Sequence, residues 1–215
     1  MKRIIRSFGR IKSRKLSDNK TKIHQELLPI YQKDFINKDN LTLEIGFGFG
    51  DFTFELAKKN PNYNIIASET HINGVINLLS KLEKEPLNNI SIFQDDVRIL
   101  LNKLPDNVLN KVYILFPDPW PKVKHHKRRI INHDFIKILS KKIQKNGKLI
   151  IATDHDSYKK WIMNVIISNN EFIWNAKSNK DWQEFPQDWT YTKYQKKAEK
   201  EGRKSIYLEL INQNI

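Results

Sequence analysis

The stretch LTLEIGFGFGDFTFELAKK, residues 41–59, contains a short apolar run, a glycine-rich turn and an amphipathic segment in that order. The apolar run is typical of a buried strand, and the segment after the turn has the apolar spacing of a helix. Between them, Gly46, Gly48 and Gly50 allow the backbone to turn tightly and to approach a ligand without interference from Cβ atoms. The stretch therefore predicts the first strand, ligand loop and helix of an α/β sheet.

The same alternation of apolar runs and amphipathic segments continues along the chain. It predicts an α/β fold with a doubly wound, mostly parallel sheet, whose ligand crevice lies beyond the carboxyl ends of the strands. Two late apolar runs predict an antiparallel pair at one edge. The predicted strands are 41–45, 65–68, 90–93, 112–116 and 149–152, with 172–174 and 206–210 as the edge pair; the predicted helices are 51–59, 72–85, 97–103, 133–145 and 156–168.

Composition restricts the partners and the cellular setting. The chain has 215 residues, a net charge of +14 and no cysteine. The charge favours a polyanionic partner, because neutralising phosphates releases counterions and drives nucleic-acid binding. The lack of cysteine excludes disulfides, thiol catalysis and thiolate zinc sites, and no apolar run approaches the roughly 18 residues of a membrane span. We expect a soluble, cytoplasmic protein with no membrane association and no obligate protein partner.

The first residues differ in character from the rest. Residues 1–15, MKRIIRSFGRIKSRK, carry seven Lys or Arg and no acid, and they lack the apolar core of a secretory signal. Residues 1–20 are interpreted as a basic, flexible N-terminal arm, although an organellar transit peptide has a similar composition. No composition break divides the remainder, so residues 21–215 are predicted to form one domain.

Acidic residues follow three successive predicted strands. Glu44 could receive the ammonium of a methionine moiety, whereas a carboxylate at this position would repel a pyrophosphate. The glycines fall at every second residue, which differs from the G-x-G-x-x-G spacing of dinucleotide-binding loops. Glu69 lies where an acid accepts the ribose hydroxyls of an adenosine cofactor. Either Asp95 or Asp96 could accept the exocyclic amine of adenine. Each acid alone also fits a helix cap, but together they favour S-adenosylmethionine.

The segment FPDPWPKVKHHKRR, residues 116–129, joins a rigid acidic turn to a dense cationic block. Its prolines fix φ and hold Asp118 at the mouth of the crevice, where an aspartate and an indole could handle one planar base. The cations that follow could hold phosphates around that base. A purely structural loop is the alternative, and the adjacent His125 and His126 are poorly arranged for chelation, so no metal is predicted.

Four motifs in order carry a specific resemblance: LEIGFGFG, FPDPWPKVKHHKRRI, ATDHDSY and DWTYTKYQKKAEKEG. They resemble the bacterial tRNA (guanine-N7-)-methyltransferase family over nearly the whole chain beyond the arm. The resemblance implies a Rossmann-like class I methyltransferase fold, S-adenosylmethionine as donor with S-adenosylhomocysteine as product, and tRNA as partner. The acceptor it implies is a guanine in the tRNA variable loop.

The resemblance also assigns roles to individual positions. Gln195 departs from it, because the family usually has Glu there, and the amide keeps an acceptor oxygen but loses the charge. The adjacent Asp95 and Asp96 also allow a shift of one residue. The implied cofactor residues are Glu44, Gly46, Gly48, Gly50, Glu69, Asp96 and Asp118, with Asp118 also catalytic; the substrate-binding residues are Lys122, Asp154, Thr192, Lys193, Tyr194 and Gln195; the RNA-contacting residues are Lys124, His125, His126, Lys127, Arg128 and Arg129.

The implied chemistry suits so sparse a site. Guanine N7 has a lone pair and no proton, so attack on a sulfonium methyl needs no general base, and positioning carries most of the rate. Two rival functions remain open from the residues alone: methylation of an exocyclic amine, as at adenine N6, and non-catalytic RNA binding by a basic protein with a vestigial pocket. A nicotinamide dehydrogenase is disfavoured by the glycine spacing.

Overall fold

The computed structural model describes residues 15–34, 38–186, 189–191 and 193–213. These residues form seven strands and eight α-helices, and the seven-stranded sheet is mostly parallel with an antiparallel edge. The predicted α/β fold class is therefore confirmed. By its internal contacts the chain divides into two compact units, Met1–Leu104 and Pro105–Ile215.

The first unit places three parallel strands in the order β3-β2-β1. Every residue of β1 is buried, as expected for a strand of a parallel sheet that is covered on both faces. Its turns after β1, β2 and β3 carry the predicted cofactor residues Gly46, Gly48, Gly50, Glu69 and Asp96, and Glu44 lies within β1. The elements are α1 (Asp18–Tyr31), β1 (Leu41–Ile45), α2 (Asp51–Lys59), β2 (Asn64–Ser68), α3 (Ile72–Lys84), β3 (Ile90–Phe93) and α4 (Val97–Lys103).

Helix α3 anchors the core of this unit. Its buried Val75, Leu79 and Leu82 recur at spacings of three and four residues, which places them on one face of the helix. On the polar side, Lys81 forms a 2.7 Å ion pair with Asp51 at the start of α2. The C-terminal end of α3 is thereby tied to the start of α2, which follows the glycine turn.

The second unit orders its strands β4-β5-β7-β6. Strand β4 pairs parallel to β5, whereas β7 runs antiparallel to both β5 and β6. This arrangement confirms the predicted antiparallel edge pair. The elements are β4 (Leu109–Leu115), α5 (His133–Lys142), β5 (Ile143–Thr153), α6 (Asp156–Ile167), β6 (Phe172–Trp174), α7 (Lys180–Gln183), α8 (Lys193–Lys200) and β7 (Ile206–Asn212).

The predicted boundary between α5 and the next strand was wrong. The helix ends at Lys142, three residues before its predicted end at 145, and β5 begins directly afterwards at Ile143. Ile143 pairs with Leu109 of β4, and the register shifts between Leu109 and Lys111. Asn146, with φ of 63°, lies within this irregular part of β5. Pairing with β4 overrides the helical spacing of the local sequence.

The N-terminal arm is only partly described. Of the predicted arm 1–20, residues 1–14 lie outside the described part of the chain, and α1 begins at Asp18. The division into an arm and one domain over 21–215 therefore stays a prediction. Among the described residues, no helix has the length and apolar character needed to cross a bilayer.

Candidate active site

The loop after β1 is built on left-handed glycines. Gly46, Gly48 and Gly50 have φ of 74°, 58° and 73°, a region that L side chains rarely adopt. The amide of Gly46 donates to the carbonyl of Ser68 at 2.8 Å, which ties the loop to the end of β2. A Cβ at Gly46 would meet no atom within 4 Å, so there is open space beside the loop. The alternating glycine spacing is thus explained by the backbone path.

Glu69 joins this loop to the start of α3. One carboxylate oxygen accepts from the amide of Gly48 at 2.9 Å, and the other accepts from the amides of Thr70 and His71 at 2.7 and 2.8 Å. Three main-chain amides therefore hold one carboxylate in a fixed orientation. Each carboxylate oxygen has two lone pairs, so the oxygen that accepts only from Gly48 keeps one lone pair for a ligand hydroxyl.

Glu44 lies within the sheet and is 2% exposed. The hydroxyl of Thr53 donates to its carboxyl group. Burial raises the pKa of Glu44 to about 8; the hydrogen bond from Thr53 opposes this shift and the charge of Glu69 adds to it. In the absence of a cation, the Glu44 carboxyl is largely protonated at neutral pH.

Asp95 and Asp96 have different surroundings. Asp96 is 8% exposed, and it accepts from the amide of Arg98 at 3.0 Å as the N-cap of α4. It also forms a two-pronged ion pair with the Arg98 guanidinium, at 2.8 and 2.6 Å. Asp95 is exposed, and one of its oxygens accepts from the amide of Asp96 at 2.6 Å. The accessible carboxylate of the pair is Asp95.

Sequence reasoning missed Gly74 in the first turn of α3. A Cβ at this position would collide with the carbonyl oxygen of Gly48 and would lie 3.2 Å from the side chain of Glu69. Helix α3 therefore approaches the glycine loop at a distance that only glycine permits. The available signal was a glycine within a predicted helix, where it costs stability unless packing requires it.

In the second unit, the turn after β4 is strained. Phe116 and Trp120 have φ of 51° and 42°, values that are costly for large side chains and that cluster at functional sites. The amide of Phe116 donates to the carbonyl of Ala152 at 2.8 Å, so the start of the turn is tied to the end of β5. Asp118 lies between two prolines and is exposed.

Arg129 braces this turn from inside. It is 2% exposed, and its Nε donates to the carbonyl of Pro119 at 2.8 Å, while Nη2 donates to Ser157 at 3.2 Å. Its guanidinium carbon lies 5.0 Å from the ring centre of Tyr158 and 5.1 Å from that of Trp161. Desolvation lowers the pKa of Arg129. The structure thus separates Arg129 from the exposed cations with which the sequence grouped it.

The remaining basic residues lie on or beside a 3-10 helix, Val123–Arg128. The guanidinium of Arg128 lies 4.9 Å from the ring centre of Trp120, and the ring of His125 meets the same indole edge-on at 5.8 Å. Desolvation and the neighbouring cations lower the pKa of His125. His126 instead packs against Trp161. The exposed ammonium groups of this cationic helix belong to Lys122, Lys124 and Lys127.

Asp154 follows β5 and belongs to an ion-pair cluster. Arg203 donates to its carboxylate at 2.7 Å and also pairs with Glu201. The side chain of Asp154 is 18% exposed, so it remains partly accessible from solvent.

Gln195 on α8 is fully buried and hydrogen bonded at both ends. Its oxygen accepts from the indole N–H of Trp189 at 2.7 Å, and its nitrogen donates to Glu199 at 3.1 Å. Thr192 lies outside the described residues, and Lys193 and Tyr194 form the start of α8. Glu199 was not predicted as a site residue.

An aromatic cluster lies beside Gln195 and Asp154. The ring of Tyr207 meets those of Trp189 and Phe185 at 4.7 and 5.5 Å, and Phe185 meets Tyr191 at 5.3 Å. Phe185 and Tyr191 are 46% and 45% exposed, unusually accessible for large apolar rings. Burial is the main cause that raises the pKa of Tyr207 to about 12, and the neighbouring Glu199, Tyr191 and Asp154 raise it further. The dense aromatic residues of 182–191 were the feature of the sequence that could have predicted this cluster.

No cluster of three or more potential metal ligands occurs among the described residues. A separate, mainly apolar groove of about 460 Å³ lies in the second unit between α6 and the edge strands. None of the predicted site residues lines it, so it is not the predicted crevice. Its lining residues are Lys159, Lys160, Met163, Asn164, Trp174, Trp182, Ile206 and Leu208.

Comparison with known proteins gives a consistent family. Residues 38–208 match the family model described as "Putative methyltransferase". The tRNA (guanine-N(7)-)-methyltransferase of Zymomonas mobilis is 33% identical over 214 residues, which span 95% of this chain and 93% of that protein. The enzyme of the same name from Hyphomonas neptunium is 36% identical over 204 residues, spanning 90% and 93% of the two chains. This chain belongs to the tRNA (guanine-N(7)-)-methyltransferase family. The resemblance predicted from the sequence motifs is confirmed.

Solved methyltransferase structures share the fold of this chain. The 16S rRNA methyltransferase KamB superposes with a TM-score of 0.55 at 13% identity, covering 93% of this chain and 95% of that one. SMU.1697c from Streptococcus mutans, solved in complex with SAH, has a TM-score of 0.53 at 13% identity and covers 92% and 99% of the two chains. At this identity the similarity establishes the Rossmann-like fold, and the residue roles stay predictions.

Proposed function

We propose that this protein transfers a methyl group from S-adenosylmethionine to N7 of a guanine in the tRNA variable loop. One observation supports this most directly: the strained turn Pro117–Pro121, which exposes Asp118, is braced by a buried arginine and leads straight into the cationic 3-10 helix. In a member of this family, strain maintained by a dedicated brace indicates that the position of Asp118 matters for function.

The first unit fits the cofactor. Glu69 retains one lone pair that can accept from a ribose hydroxyl, and the loop has open space beside Gly46 where the chain of the cofactor can approach. Glu44 is a buried acid that a nearby ammonium would ionise, which gives a cationic ligand a strong electrostatic partner. When bound, S-adenosylmethionine supplies an electrophilic methyl group.

For the adenine amine, we propose Asp95 as the acceptor in preference to Asp96. The carboxylate of Asp96 is buried in the N-cap of α4 and in its ion pair with Arg98. Releasing it for a ligand would leave both groups unpaired, whereas Asp95 is exposed and needs no rearrangement. Asp96 then acts on the site by holding the start of α4.

The second unit supplies the base-handling groups. Guanine N7 carries a lone pair and no proton, so no side chain has to remove a proton before attack. As N7 is alkylated, the purine becomes positive, and the carboxylate of Asp118 offsets that charge. Asp154, held by Arg203, lies beside aromatic rings that a guanine can stack on. Lys122, Lys124 and Lys127 position the RNA through phosphates rather than specifying the base.

The experiment is direct. The purified protein is incubated with bulk tRNA and methyl-labelled S-adenosylmethionine, and the tRNA is digested to nucleosides. We expect the label in 7-methylguanosine and chain cleavage at the modified base after reduction and aniline treatment. Label in N6-methyladenosine would instead indicate an amine-methylating site. No incorporation with any tRNA would indicate the non-catalytic RNA-binding alternative.

A further inference from the structure

Helix α8 contains a hydrogen-bonded pair one turn apart. Gln195 is fully buried, with its oxygen committed to the indole of Trp189 at 2.7 Å and its nitrogen to Glu199 at 3.1 Å. The two bonds fix which end of the carboxamide faces Glu199, because only the NH₂ end can donate to a carboxylate. Gln195 therefore orients Glu199 and has no exposed surface with which to contact RNA.

Glu199 is the exposed member of the pair. It lies close enough to Tyr207 for its charge, like that of Asp154, to contribute to the raised pKa of that phenol. Glu199 and Asp154 thus approach the same tyrosine from α8 and from the end of β5. Asp154 is already engaged by Arg203, whereas Glu199 is engaged by a neutral amide and keeps its full charge available for a ligand.

The aromatic cluster provides a surface next to this carboxylate. Phe185 and Tyr191 pack on each other at 5.3 Å and are each nearly half exposed. Exposed aromatic faces bind unstacked nucleobases by stacking, and polar groups beside them read the edge of the base. A base on this surface would lie beside the carboxylate of Glu199, which accepts hydrogen bonds and therefore favours a base edge rich in donors.

We propose that Glu199 is a specificity-determining residue that accepts the N1–H and N2–H donors of the acceptor guanine, and that Gln195 is its positioning residue. The inference rests on the proposed function. Guanine presents two adjacent donors on this edge, which match the two oxygens of one carboxylate, whereas adenine presents an acceptor at N1. A glutamate at 195 would place two like charges one turn apart with no donor between them.

The test combines a side-chain change with the deletion of one substrate group. Two tRNAs are prepared that differ only at the acceptor, which is guanosine or inosine; inosine keeps N7 and N1–H but lacks the N2 amine. We expect Glu199→Gln to lower kcat/KM for the guanosine tRNA by about 10- to 100-fold, as for a lost hydrogen bond to a charged group. For the inosine tRNA, the same substitution should lower kcat/KM by a factor that is at least about fivefold smaller, because one contact is already missing.

A double variant separates reading from positioning. Gln195→Glu with Glu199→Gln reverses the hydrogen bond within the pair and keeps the net charge. If the pair were purely structural, this double variant would recover the preference for the guanosine tRNA. We expect instead that guanosine preference stays lost, since the acid is then buried. Glu171→Gln, which removes one charge elsewhere in the same unit, is the control, and thermal melting verifies folding.

Equal losses on both tRNAs, or a double variant that recovers wild-type preference, would overturn the role of Glu199. Failure of the proposed function gives a different result, because the wild-type protein would then form no 7-methylguanosine on the guanosine tRNA. The two failures are therefore distinguishable.

Discussion

The glycine loop after β1 and the proline-flanked turn after β4 both leave a parallel strand, yet they are held in different ways. In the glycine loop the left-handed positions are glycines, and its amides bond to the carbonyl of Ser68 and the carboxylate of Glu69 at the end of β2. In the proline-flanked turn the left-handed positions are Phe116 and Trp120, and a buried Arg129 from farther along the chain holds the carbonyl of Pro119. Residue type by itself permits the first conformation, whereas the second needs tertiary contacts to offset the strain at two large side chains.

This difference predicts where substitutions act. Changes around the glycine loop should alter cofactor affinity and the stability of the first unit. Changes around the turn should alter turnover on RNA, because the turn determines where Asp118 points. The cationic helix should affect RNA affinity and little else.

The largest expected effect is at Asp118. Asp118→Asn keeps the shape and an acceptor oxygen but cannot offset the positive charge on the methylated purine, so single-turnover rates should fall about 100-fold or more. S-adenosylmethionine affinity, measured by calorimetry, should change little. The wild-type rate should show no titration of a catalytic base across pH, as N7 has no proton to lose. Asp134→Asn on α5 is the control, and equal losses in both variants would contradict the role of Asp118.

The next effect concerns the brace. Arg129→Met removes the hydrogen bond to Pro119 and a guanidinium packed on two rings, which should lower unfolding free energy by about 1.5–3 kcal/mol. Turnover should fall because the turn loses its strained geometry, while the salt dependence of tRNA binding should keep its slope. A shallower slope would show that Arg129 contacts phosphate after all. Urea unfolding and salt-titrated binding separate the two outcomes.

The third effect is a pH dependence set by Glu44. Its pKa rises from 4.5 to about 8 on folding, so between these values the folded state holds a proton that the unfolded state has lost. Stability conferred by the neutral acid is therefore complete below pH 4.5 and falls as pH rises towards 8, by up to about 1.4 kcal/mol per pH unit. Glu44→Gln keeps an acceptor for Thr53 and should flatten this slope in urea unfolding from pH 5 to 8. Glu55→Gln on α2 should leave the slope in place; a wild-type curve that is flat already would refute the assignment.

The smallest effect on chemistry should come from the exposed cations. Replacing Lys124 and Lys127 with alanine should reduce tRNA affinity and make the plot of log affinity against log salt shallower by about one to two units. Cofactor affinity should be unchanged, and at saturating tRNA the turnover should be nearly that of the wild type. The matched control is Lys137→Ala with Lys141→Ala on α5. An identical slope in both double variants would make the cationic helix an ordinary solvated surface.

Local pattern was sufficient for much of the fold. The strands 41–45, 90–93 and 172–174 and the helices 51–59 and 97–103 were predicted to the residue, because apolar runs and helical spacing coincide there with clear turn signals. The helices α1, α7 and α8 and the 3-10 helix 123–128 were not predicted. The 3-10 helix buries no residue of its own, so it leaves no hydrophobic periodicity to detect.

The site shows the same division. Glu69 and the three glycines were predicted from spacing because strand ends and backbone turns are local features. Arg129 was misgrouped with its exposed neighbours, since a run of cations does not indicate which member turns inward. Glu199 was overlooked because its importance comes from a hydrogen bond to Gln195 and from rings contributed by other elements.

By itself, the sequence determined the α/β class, the succession of the seven strands along the chain, the family and the positions of acids at strand ends. All of these depend on residue type and on short spacings. Only the tertiary structure decided that Asp95 rather than Asp96 is exposed, that Arg129 braces the turn after β4, and that Gln195 is buried and hydrogen bonded to Glu199. The physical reason is that burial and the choice of hydrogen-bond partner depend on how the folded segments pack, so identical residue types acquire different roles.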